Sequence, residues 1–299
     1  MSVFNKLLVL ILPLVPKIII GIFSKKYIAG STLQDAINKI KDFNARGIMA
    51  TIDVLGEEIE NKENALKAVD EYLEVLSAIE NNGLDSNVSV KPTHLGLKID
   101  KDFCYSNIRT IVAKARDYKN FVRIDMEDRT CTTATIEIFL RLKEEFSNVG
   151  LVLQSYLRRT IDDVNQLIDH KANLRLCKGI YVEPITDAYK DPDIINDNFK
   201  YSLEKMLQAG CYVGIATHDE KLIWHALSLI DKLNLKKEEY EFQMLLGVTE
   251  KLRDILVSSG HRMRIYVPYG EHWHAYSMRR LKENPNIASS IIKNIFKKS

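Results

Sequence analysis

FVRIDMEDRTCTTATIEIFLRLKEEFSNVGLVLQSYLRRTIDDVNQLIDHKANLRLCKG, residues 121–179, decides the fold. It holds three short apolar runs, FVRIDM (121–126), VGLVLQSYL (149–157) and NLRLCKG (173–179), whose length and branched residues fit buried strands. Between them TATIEIFLRLKEEF (133–146) and IDDVNQLIDH (161–170) place apolar residues at helical spacing. Strands alternating with helices of this length make βα units.

The rhythm continues in both directions. Upstream, GIMATIDVL (47–55) reads as a first strand, 63–79 as its helix, NVSVK (87–91) as a second strand and 105–118 as the next helix. Downstream, a long loop leads to a helix over 195–209, then CYVGIAT (211–217), a helix over 222–233 and YEFQMLL (240–246). A helix over 249–258, the strand RMRIYVP (262–268) and a closing helix over 273–284 complete the series. Eight such units in about 240 residues match a (β/α)8 barrel. Periodicity does not report closure, so an open doubly wound sheet stays an alternative, although no GxGxxG follows any strand.

The 299 residues contain no Pro/Gly/Ser-rich linker and no internal repeat. The expected organisation is an N-terminal helical cap or membrane-surface segment over 1–46, a catalytic barrel over 47–284 and a tail over 285–299. LLVLILPLVPKIIIGIF (7–23) is apolar but broken by Pro13, Pro16 and Lys17, and a helix of this length reaches only ~26 Å, short of a ~30 Å hydrocarbon core. Its expected role is to cap the barrel or to lie on a membrane surface, with Lys25 and Lys26 as a basic flank; a cleaved signal is a further reading. A net charge of +2 gives no basis for a nucleic-acid partner. The four cysteines form no CxxC, and His272 with His274 lacks a helical ligand spacing, so no disulfide framework and no metal is expected.

In a barrel the carboxyl ends of all strands converge on one mouth. Reading only those ends gives Asp53, Lys91, Asp125, Gln154, Arg175 with Lys178, Thr217 with His218, and Tyr266. Charges so near a packed interior need partners or a ligand. A self-neutralising structural network is one explanation, and a Schiff-base lysine at Lys91 or Lys178 is another. On the closing helix, Tyr276, Arg280 and Glu283 share a face with Arg279 at its border, a spacing that lets two guanidinium forks grip one carboxylate.

Taken together, DVLGE (53–57), VSVK (88–91), RIDMED (123–128), RLCKGIY (175–181), ATHD (216–219), EFQMLLG (241–247), RIYVPYG (264–270) and YSMRRLKEN (276–284) resemble the flavin-dependent proline dehydrogenases. The resemblance runs in order from about residue 50 to 284. It implies a distorted (βα)8 barrel that binds FAD, oxidises L-proline to 1-pyrroline-5-carboxylate and passes electrons to a membrane quinone. It places Arg175 near flavin N5, Met126 and Gln154 beside the ring system, and Lys178, Gly179, Ile180, Thr217 and His218 along the cofactor. Lys91, Arg279 and Arg280 would bind the substrate carboxylate, Tyr266 and Tyr276 would wall the pyrrolidine ring, and Asp125 would support that wall. Asp53, Glu57 and Glu283 would serve as gate or supporting acids, with Glu57 pairing to Arg279 on closure. Cys177 stands where a small apolar residue is usual. Only 15 residues follow 284, which fits the monofunctional form, cytoplasmic and peripheral on the inner face of the cell membrane. An aldolase-type barrel, which leaves the arginine pair and the tyrosines idle, and a noncatalytic scaffold, which predicts no cofactor and tolerance of changes at Arg175, are the rival readings.

Overall fold

The structure, a computed structural model, describes residues 20–21, 24–56, 58–274 and 276–278. A first helix, α1 (Leu33–Asn44), leads into β1 (Met49–Val54), α2 (Lys62–Asn81), β2 (Ser86–Val90), α3 (Lys101–Asp117), β3 (Val122–Ile124), α4 (Arg129–Glu145) and β4 (Val149–Gln154). Then come α5 (Thr160–Ile168), β5 (Asn173–Cys177), α6 (Pro192–Gln208), β6 (Val213–Ala216), α7 (Glu220–Lys232), β7 (Tyr240–Leu245), α8 (Glu250–Ser258) and β8 (Met263–Tyr269). Each strand pairs in parallel with its successor, and β8 pairs back onto β1 with Thr51 opposite Tyr266 and Val54 opposite Tyr269. The sheet is a closed eight-stranded barrel, so the open-sheet alternative falls.

Closure explains the composition of the strands. Outward residues such as Ile52, Val88, Ile124, Leu151, Leu174 and Ile215 are fully buried, in one core with Tyr72, Phe139 and Phe199 from the helix ring. Strands covered on both faces need apolar residues outside and a filled interior inside.

Local chemistry moved several element boundaries. The sequence expects β4 to run to residue 157, but the chain turns after Gln154, where the Thr160 hydroxyl donates to the Gln154 carbonyl at 2.6 Å. Helix α3 starts four residues earlier than expected because the Asp100 carboxylate accepts the Phe103 N–H at 2.7 Å. Helix α6 starts at Pro192 for a similar reason: Asp191 caps it, and proline at the first position has no N–H to satisfy. Ahead of the barrel, the Ala29 N–H bonds the Pro268 carbonyl at 2.9 Å and the Gly270 N–H bonds the Gly30 carbonyl at 3.1 Å. The Ser24 hydroxyl donates to Ser277 at 2.7 Å. The segment before α1 is thereby tied to the mouth of the barrel. Most of the apolar run 7–23 lies outside the described residues, as do Glu57, Arg279, Arg280 and Glu283. Among the described residues no helix is long and apolar enough to cross a membrane.

Candidate active site

At the carboxyl ends of the strands lies a cavity of about 580 Å³. Asp53, Lys91, Asp125, Met126, Gln154, Arg175, Lys178, Gly179, Ile180, Thr217, His218, Tyr266 and Tyr276 all line it, so every expected site residue that the structure describes comes to one place. They derive from β1 through β6 and β8, and from the chain beyond β8.

The centre is Asp125. Its Oδ1 accepts from Arg175 Nη1 at 2.7 Å and from Ser89 Oγ at 2.5 Å, and its Oδ2 accepts from Tyr266 at 2.7 Å. The Arg175 guanidinium also lies 5.4 Å from the centre of the Tyr266 ring. Burial, followed by the Asp125 and Asp53 charges, raises the Tyr266 pKa well above its usual value, which keeps the phenol a donor. Arg175 Nε is held by Gln243 at 2.5 Å, while Nη2 makes no hydrogen bond among the described residues. Two edges of the guanidinium are fixed and one is left for a ligand.

Lys91 donates to Asp53, which is fully buried. Burial alone would depress the lysine, but the Asp53 and Asp125 carboxylates outweigh it and raise its pKa. Lys91 is therefore an ammonium, the opposite of what an amine nucleophile needs. Lys178 is also paired, with Asp219 at 2.7 Å. The other Asp219 oxygen caps α7 by accepting the Lys221 N–H at 3.0 Å, so one carboxylate ties the loop after β5 to the start of that helix.

The alternative of a self-neutralising network thus holds in part, as the pairs Lys91–Asp53, Arg175–Asp125 and Lys178–Asp219. It does not fill the space it surrounds. Gln154 donates to the Glu127 carbonyl at 2.8 Å and retains its own carbonyl oxygen as an acceptor. Thr217 accepts the Asp219 N–H at 3.1 Å and retains its proton. His218 Nε2 accepts the Leu245 N–H at 2.9 Å, which places the ring proton of the neutral imidazole on Nδ1. Between these polar groups, Met126, Val152, Met244 and Leu245 give the wall an apolar stretch.

The loop after β5 makes its own demand on sequence. Gly179 has φ +106°, and a Cβ there would sit 2.1 Å from the Tyr156 ring. Only glycine lets the chain cross that ring.

Some lining residues were not assigned from sequence. Glu127 accepts from the Thr93 N–H and hydroxyl at 2.8 and 2.6 Å, fixing the turn after Lys91. Asp219 and Gln243 fall inside the ATHD and EFQMLLG motifs, yet the role of each depends on a partner far away in the chain, Lys178 for Asp219 and Arg175 for Gln243.

A closed parallel barrel with fixed polar groups around a partly apolar cavity at the strand carboxyl ends is the architecture of a barrel enzyme. A model of the proline dehydrogenase family matches residues 36–293. Proline dehydrogenase 1 of Bacillus subtilis subsp. natto is 36% identical over 275 residues, covering 92% of this chain and 91% of its own. Proline dehydrogenase of Deinococcus radiodurans is 35% identical over 279 residues, covering 92% and 90%. Among solved structures, proline utilization A of Bdellovibrio bacteriovorus, inactivated by N-propargylglycine, superposes with a TM-score of 0.82 at 26% identity, over 88% of this chain and 32% of that one. The chain belongs to the proline dehydrogenase family.

Proposed function

We propose that the protein oxidises L-proline to 1-pyrroline-5-carboxylate with FAD and passes the electrons to a membrane quinone, the first step of proline catabolism. The observation that carries this reading is Arg175, locked by Asp125 and Gln243 with one edge left over, in the same cavity as the Lys91 ammonium and the Lys178–Ile180 loop. The donor set suits FAD. A cation, amide and hydroxyl groups, an apolar wall and a side-chain-free crossing at Gly179 match a flat heteroaromatic ring joined to a charged chain.

When bound, FAD supplies the two-electron acceptor. Arg175 stabilises negative charge at that end of the cavity. Lys91 uses one N–H on Asp53 and keeps two for a substrate carboxylate, which Arg279 and Arg280 would hold from the closing helix. Tyr266, anchored to Asp125, and Tyr276, buried against Ile28 and Leu55, wall the side on which the pyrrolidine ring would lie. Held in this way, the ring carbon is aligned for hydride loss once the amine has shed its proton. The paired state of Lys91 and Lys178 speaks against a Schiff-base aldolase. The reading also takes the protein as cytoplasmic, with residues 7–23 resting on the inner face of the cell membrane.

The test is the absorption spectrum of the purified protein and its response to proline. Stoichiometric FAD that is bleached anaerobically by L-proline is expected. FMN, no flavin, or a flavin that proline leaves oxidised would overturn the proposal.

A further inference from the structure

Gln243 holds Arg175 Nε, and its own placement has a cause in the barrel. It stands on β7, whereas Arg175 stands on β5, and β6 runs between them. The residue that β6 presents at this level is Gly214, paired with Arg175 on one side and Glu241 on the other. A Cβ at Gly214 would lie 2.4 Å from Gln243 Nε2, so the missing side chain is what lets Gln243 reach over the strand to Arg175. The amide direction is also fixed. Glu241 is fully buried and accepts from Arg264 Nε at 2.7 Å, Tyr212 at 2.8 Å and Gln243 Nε2 at 2.5 Å. A carboxylate can only accept, so it takes the amide nitrogen and turns the amide oxygen toward Arg175 Nε. Arg264, paired with Glu241 and bonded to the Ala50 carbonyl at 2.7 Å, holds the carboxylate from below. Burial works against ionisation of Glu241, yet the Arg264 guanidinium brings its pKa down to about 2, and the acceptor persists throughout the neutral range.

We propose that Gln243, oriented by Glu241 and admitted by Gly214, is a positioning residue that fixes which edge of Arg175 faces the cofactor. The chain Arg264–Glu241–Gln243–Arg175–Asp125–Tyr266 spans the barrel interior from floor to mouth. With Nε on Gln243 and Nη1 on Asp125, Arg175 can direct only Nη2 into the cavity. Without Gln243 the guanidinium can rotate about its bond to Asp125 and lose that aim. The inference rests on the reading that Arg175 faces the flavin.

Two substitutions separate the possibilities. Gln243→Met keeps the volume and removes the acceptor, while Gly214→Ala leaves Gln243 in the chain and displaces its amide. Each is to be measured on flavin-loaded enzyme for kcat, KM and flavin midpoint potential, beside Arg175→Ala and the double variant Arg175→Ala with Gln243→Met. One hydrogen bond to a charged group is worth about 10-fold, so kcat should fall by about that factor. KM for proline should stay within about 2-fold, because no carboxylate-binding group is touched. The potential should move in the direction that Arg175→Ala moves it, by less, and Gln243→Met should add nothing on the Arg175→Ala background. If Arg175→Ala shifts the potential and both Gln243→Met and Gly214→Ala leave it at the native value, the positioning role is wrong while the place of Arg175 stands. An equal kcat loss from Gln243→Met with and without Arg175 also refutes it. If Arg175→Ala itself leaves the potential unmoved, both readings fall together.

Discussion

Asp125 receives three donors and carries the charge that Arg175 faces, so two substitutions there should differ in a foreseeable way. In Asp125→Asn one oxygen can still accept from Arg175 and Ser89. The new amide then meets the Tyr266 hydroxyl, which can turn round and accept. The geometry survives and only the charge goes. Charge-assisted bonds exceed neutral ones by about 1–1.5 kcal/mol, so kcat/KM should drop roughly 10-fold. In Asp125→Ala all three donors lose their acceptor and the largely buried guanidinium is left without a counter-charge. Breaking a buried pair in this way costs about 3–5 kcal/mol, so kcat/KM should fall more than ~100-fold, with a lower melting temperature. The assay is steady-state proline oxidation with an artificial electron acceptor, alongside thermal melting of each variant. If asparagine proves as damaging as alanine, charge outweighs geometry and the account of a preserved frame is refuted. If alanine stays within about 2-fold of native, Asp125 does not organise the site at all.

At Gly179, alanine meets both the left-handed φ and the Tyr156 ring 2.1 Å away; Gly179→Ala should purify folded by circular dichroism yet bind FAD at least about 10-fold more weakly by flavin titration. His94 has its pKa pushed down to about 3, by burial first and then by the Lys91 charge, so between the free value of 6.5 and about 3 the unfolded chain binds a proton that the folded chain refuses. Stability is therefore full above pH 6.5 and falls as pH drops toward 3, by about 1.4 kcal/mol per unit from this group. Urea melts from pH 7 to 4.5 should show a shallower decline for His94→Gln, and equal slopes would contradict the assignment. Arg280→Ala should raise KM for proline about 10-fold or more, while pyrrolidine, which lacks the carboxylate and should be a poor substrate, is used nearly as in the native protein. An equal loss for both substrates would give Arg280 a structural task instead.

The residues that line the mouth could be found in the chain because parallel strands share one direction. Once FVRIDM or NLRLCKG is read as a strand, the polar residues of its carboxyl half must lie near the common end, and Asp125, Arg175 and Lys178 all do. Gln154 was located equally well, although the expected strand ran three residues too far, because the turn depends on a hydroxyl six positions ahead. Alternation and length set the number of βα units for the same local reason. Closure was not local: pairing of β1 with β8 joins residues more than 200 positions apart, and no periodicity encodes it. Partner choice was equally out of reach. Lys91 finds Asp53 across 38 positions, Tyr266 finds Asp125 across 141, and Arg175 finds Gln243 across 68 because Gly214 offers no side chain between them. The sequence alone placed the strand-end groups from Asp53 to Tyr266 at the mouth, since that follows from strand direction and period. Which acid neutralises which base, and which edge of Arg175 is left to act, was decided only when the barrel closed and set distant strands a few ångströms apart.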